Sequence, residues 1–137
     1  MTKQCLDVQQ MQHLKELGLD TNNASMCWLK TPNGRDLTFN DEWINLDESN
    51  LDPVPAYTLQ DVLDVLPRFV IDEEGNKYYL QIEMMNTEFD DWRVSYKSVG
   101  QDESPLGYFQ AFQLIDAAVR MLVLCYEQGY VETNKNE

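Results

Sequence analysis

The chain reads as an α+β protein in which a small antiparallel sheet, a meander plus a hairpin, packs on a long C-terminal helix and two shorter helices. Three observations predict this. Tyr78, Leu80, Ile82 and Met84 alternate with Tyr79, Gln81 and Glu83, the period-two pattern of a strand with one wet face. Leu59, Val62, Leu63 and Leu66 fall at helical spacing behind Thr58. From Ser104 to Gln128, Leu106, Phe109, Phe112 or Gln113, Ala117, Met121, Leu124 and Cys125 give one wide apolar face.

Taken in order, Asp7 is placed to cap a first helix carried by Val8, Met11, Leu14 and Leu17, and Gly18 followed by Leu19 ends it in the manner of a Schellman motif. Asp20, Thr21, Asn22 and Asn23 make a turn. Residues 26–30 and 35–39 form a hairpin across Thr31, Pro32, Asn33 and Gly34. Residues 40–55 are rich in acids and hold two prolines, yet carry Trp43, Ile44, Leu46 and Leu51. Such apolar anchors predict an ordered loop.

Thr58 then caps the second helix, with Asp61 where a capping box places Glu, and Pro67 ends it. The meander follows: residues 68–72 and 77–85, joined by Glu73, Glu74, Gly75 and Asn76, then a third strand in which Trp92, Val94 and Tyr96 alternate with Arg93, Ser95 and Lys97. Glu83 is expected to pair with Arg93 or Lys97 on the outer face. The last helix is expected to start at Ser104 and Pro105, to carry Leu106, Phe109 and Phe112 or Gln113 on its apolar side, and to stop at Gly129. Such a helix would run about 36 Å. The expected organisation is one acidic domain over residues 1–132 and a frayed tail over 133–137.

Charge is the strongest compositional signal. Twenty-four acids against ten Lys and Arg give a net charge of −14. No basic residue lies between Arg35 and Arg68, where Asp36, Asp41, Glu42, Asp47, Glu48, Asp52, Asp61 and Asp64 occur. That field repels phosphate backbones and anionic headgroups, so neither nucleic acid nor membrane is expected as a direct partner. A basic protein fits better. The expected contact surface is Asp41, Glu42, Trp43, Asp47, Glu48 and Asp52, with Trp43 serving either as a loop anchor or as an exposed hot spot.

Catalytic chemistry finds little footing. His13 is the sole histidine, and it lies off the apolar stripe of the first helix, without a nucleophile near it in sequence. Cys5, Cys27 and Cys125 are odd in number and widely spaced, which suits free thiols in a reducing cytoplasm rather than disulfides or zinc. The run Asp47, Glu48, Ser49, Asn50, Leu51, Asp52 lacks the Gly and Glu of a calcium loop. Glu88, Asp90 and Asp91, with Asp102 and Glu103, would make a Mg²⁺ site for hydrolysis only if their loops met. No metal and no cofactor is expected, and no phosphate-cradling glycine motif occurs. The most apolar stretch, residues 117–126, is half the length of a membrane span.

At His13-Leu14-Lys15-Glu16-Leu17-Gly18 and at Pro55-Ala56-Tyr57-Thr58-Leu59, with Leu63, Leu66 and Pro67 behind, the chain resembles a group of short proteins encoded by bacterial phages, prophages and mobile elements. The resemblance implies a mobile-element origin and carries over no activity and no functional residue. Three roles follow as expectations. The first is a non-enzymatic binding or accessory protein. The second is an acidic nucleic-acid mimic that occupies a host protein's DNA cleft. The third is a metal-dependent hydrolase. The long helix would serve equally as the core of a monomer or the face of a homodimer.

Overall fold

In the computed structural model the described residues are 3–32, 34–39, 52–86, 90–99 and 104–130. They form an α+β protein with three helices and two antiparallel sheets. Contacts divide the chain into two compact units, Lys3–Asp61 and Val62–Glu132, with the few terminal residues assigned across them.

In the first unit, helix α1 covers Val8–Leu17. The Asp7 carboxylate accepts from the Gln10 amide at 2.8 Å, and the Gln10 side chain accepts in return from the Asp7 amide at 3.0 Å. This reciprocal box satisfies two backbone donors that a helix start leaves open. At the other end Gly18 adopts φ 105°, and Leu19 N donates to Leu14 O. That left-handed ending costs any residue with a Cβ. Met11 and Leu14 are buried, while His13 on the opposite side is exposed.

Strands β1 (Met26–Thr31) and β2 (Gly34–Phe39) pair from Met26 opposite Phe39 to Thr31 opposite Gly34. A third strand, β3 (Val54–Ala56), lies on the other side of β1. The expected loop over residues 40–55 is thus corrected at its end. Pro55 has no N–H to give, and a short edge strand is where a sheet tolerates that. Residues 40–51 lie outside the described residues.

Helix α2 covers Leu59–Val65. Thr58 Oγ1 accepts from the Asp61 amide at 3.2 Å, and Asp61 Oδ2 accepts from the Thr58 amide at 3.0 Å. Asp61 does the work of Glu in the box because Asp also reaches one turn back. Val62 and Leu66 are buried, with Leu59 and Leu63 half-buried.

The second unit holds a meander in the order β4 (Phe69–Ile71), β5 (Lys77–Asn86), β6 (Asp90–Lys97) and β7 (Tyr108–Ala111). The turn before β5 is built on Asp72, whose carboxylate accepts from the Glu74 and Asn76 amides, the Asn76 side chain and the Tyr78 hydroxyl. Helix α3 (Leu114–Glu127) packs on β6 and β7. Val94 and Tyr96 of the sheet are buried, as are Ile115, Ala118, Val119, Leu122 and Cys125 of α3.

The expected helix start at Ser104 is overturned. Gly107 N bonds back to Ser104 O at 2.8 Å, closing a turn, and Gly107 takes φ 76°, which breaks a right-handed helix. Beyond it, Tyr108, Phe109, Gln110 and Ala111 pair with Ser95, Val94, Arg93 and Trp92. Phe112, which the sequence offers with Gln113 as the alternative for the apolar helix face, is 67% exposed. Gly129 does end α3, with Tyr130 N donating to Cys125 O.

Candidate functional site

Of the acidic surface read from the sequence, Asp41, Glu42, Trp43, Asp47 and Glu48 lie outside the described residues. Asp52 is described, and its charge is already engaged. Arg35 Nη1 donates to the Asp52 carbonyl at 2.6 Å and Nη2 to its carboxylate at 2.9 Å. Beside this clamp, a cleft of about 310 Å³ is lined by Met11, Lys15 and Thr21 with Arg35, Asp52 and Val54.

Asp61 is likewise turned inward. Besides capping α2, it accepts from Ser25 N at 2.9 Å and Ser25 Oγ at 2.6 Å. Burial pushes its carboxyl up, but the hydrogen bonds from Ser25 and Thr58 outweigh that and hold its pKa below the ordinary value. Asp72 is also lowered, chiefly by the Asn76 amide. Asp7, Asp61 and Asp72 are therefore structural carboxylates, each folded back on backbone donors.

Most of the metal lead falls outside the described residues. Glu88, Asp102 and Glu103 are outside the described residues, as is the side chain of Asp90. Asp91 accepts from Gln110 Nε2 at 3.1 Å, and Gln110 Oε1 accepts in turn from Arg93. Among the described residues, no group of three His, Cys, Asp or Glu side chains could hold a metal ion.

The three cysteines are free and buried. Burial raises the pKa of each, that of Cys125 to about 11, so all three are thiols at neutral pH rather than nucleophilic thiolates. Cys125 lies against Tyr96, whose hydroxyl donates to Pro67 O at 2.6 Å. Tyr57 is the matching buried phenol of the first unit. Its hydroxyl contacts Asp20 O and Asn23 Oδ1, and burial lifts its pKa to about 12.

The surface that composition did not reveal is the outer face of the four-stranded sheet. Register places Phe69 beside Tyr79, Tyr79 beside Lys97, and Gln81 beside Ser95, itself fully buried, which in turn lies beside Tyr108. The Phe69 and Tyr79 rings meet at 6.0 Å, Lys77 Nζ sits 4.6 Å from the Phe69 centroid, and the Arg93 guanidinium lies 4.0 Å from that of Tyr108. Lys97 pairs with Glu83 at 3.2 Å, one of the two expected partners. Three of the chain's ten cations share this face with three exposed aromatic rings. Alternation had put Tyr79, Arg93 and Lys97 on the wet face. Tyr108 was missed because residues 104–113 were assigned to the helix.

No protein-family model, curated protein or solved structure matches the chain. No helix among the described residues is long and apolar enough to cross a membrane.

Proposed function

We propose that this chain is a small non-enzymatic binding or accessory protein that recognises a basic protein partner. The observation that carries this reading is the exposed face of Phe69, Tyr79 and Tyr108, with Arg93 stacked on the last. Tyr, Phe and Arg are the residues that anchor protein interfaces, and exposed aromatic surface is otherwise costly to a folded protein. Lys77, Arg93 and Lys97 make the aromatic face itself locally basic, so the attraction for a basic partner comes from the net charge of −14, concentrated between Arg35 and Arg68, while the rings supply the contact. The acidic segment containing Asp41, Glu42, Trp43, Asp47, Glu48 and Asp52 belongs to the same proposal as a second contact region. A reducing cytoplasm suits the three free thiols, and a mobile-element origin follows from the resemblance alone.

The test is affinity purification from the native host over a salt series. A specific complex should weaken steeply as salt rises, and Tyr79→Ala with Tyr108→Ala should reduce it. A complex that ignores salt and maps away from both regions would remove the proposal. Adjacent phage structural genes would support the origin.

A further inference from the structure

We infer that strand β5 accepts a partner's strand along its open edge, over Gln81 to Met85, and that the partner there is an extended peptide alternating apolar and basic residues. The inference rests on the reading of this chain as a binding protein, and adds the surface and the mode.

Strand β5 runs through residue 86, yet β4 covers only its first three residues. Leu80 N still donates to Arg68 O at 3.0 Å. The next residue of β5 to face β4 is Ile82, and the residue that would meet it is Leu66. Leu66 closes the last turn of α2, its N–H donating to Val62 O at 3.0 Å, so the chain before Arg68 is helical and cannot continue along β5.

Backbone polar groups alternate sides along a strand. Because Leu80 N–H faces β4, the N–H and C=O of Ile82 and Met84 face the same open side. The β5–β6 register is unbroken from Tyr79 opposite Lys97 to Met85 opposite Asp91, so no bulge shifts this phase. Among the described residues no strand pairs with that edge. The side chains beside it are apolar and uncovered, Ile82 at 37% and Met84 at 55% exposed.

A long edge with apolar side chains is the feature that folded proteins usually blunt with Lys, Pro or a bulge. Here Ile82 and Met84 occupy those positions, and the only charge in the stretch is Glu83. An added strand would satisfy the two residues' donors and acceptors and cover their side chains, the mode of β-strand addition. Charge selects the occupant. A second copy would bring another −14 to the contact, whereas a basic peptide is attracted.

The test uses the full chain and a fluorescent Val–Lys alternating peptide, compared with a scrambled peptide of the same composition. The alternating peptide should bind more tightly and protect the Ile82 and Met84 amides from hydrogen exchange. Met84→Pro removes only an outward donor and leaves the β5–β6 ladder bonds in place; it should weaken binding about fivefold to tenfold. Methylating the peptide's alternate backbone nitrogens should do the same with the protein unaltered, which covers the case of a variant that fails to fold. Equal affinity for both peptides, or protection confined to other strands, overturns the inference. So does a peptide-free dimer that protects Ile82 and Met84. A salt-sensitive host complex that Met84→Pro leaves unchanged would retain the binding role and refute the edge.

Discussion

Asp61 shows how much one side chain decides. It belongs by sequence to an acidic surface, but it spends its oxygens on Thr58 and Ser25. Asp61→Ala should cost about 1–3 kcal/mol, read from urea unfolding, because it removes a cap and leaves the Ser25 donors without it. Its pH effect follows from the sign of the shift. The folded pKa lies below the ordinary value of about 3.9, so its stabilisation is present above that value and fades as pH falls through the lower folded pKa. Asp61→Asn should flatten the acid limb of the stability curve. An unchanged limb would mean that Asp61 is not the group responsible. Tyr57 works oppositely. Its pKa of about 12 means that the stability it lends, intact below pH 10, is lost as pH climbs towards 12.

Among the elements, α3 and β7 divide a stretch that one helical pattern covered in the sequence. Ile115 is buried and Phe112 exposed, three residues apart. Ile115→Ala should therefore destabilise by about 2–5 kcal/mol, while Phe112→Ser should fall within about 0.5 kcal/mol of neutral, both by chemical denaturation. The reverse ranking would restore the long helix. The starts of α1 and α2 and the ends of all three helices were legible because their caps and breakers are local. Asp7, Gly18, Thr58, Pro67 and Gly129 each act within a turn of themselves. Strand β7 was not legible, because Phe109 at helical spacing from Phe112 reads alike in both states, and only pairing with Val94 distinguishes them. Gly107 was the available warning.

For the molecule as a whole, charge is the main lever. With −14 on 137 residues, self-repulsion opposes the folded state, so raising salt into the screening range should raise the thermal midpoint even as it weakens a basic partner's grip. A midpoint that falls with salt would show that clamps such as Arg35–Asp52 outweigh the net repulsion. The buried thiols give a second check. Under native conditions alkylating reagents should leave Cys5, Cys27 and Cys125 largely unmodified by mass spectrometry, and unfolding should expose all three.

Sequence by itself determined the α+β class, the capped starts of the first two helices, the first hairpin and the alternation of the meander. These are set by interactions within a few residues or by a strict side-chain period. Tertiary structure alone decided that Val54–Ala56 is a strand and that the last helix yields residues 108–111 to the sheet. It also decided which carboxylates face inward and where β4 leaves β5 uncovered. Each of those depends on a partner far along the chain, and a hydrogen bond to a distant residue leaves no local periodicity to read.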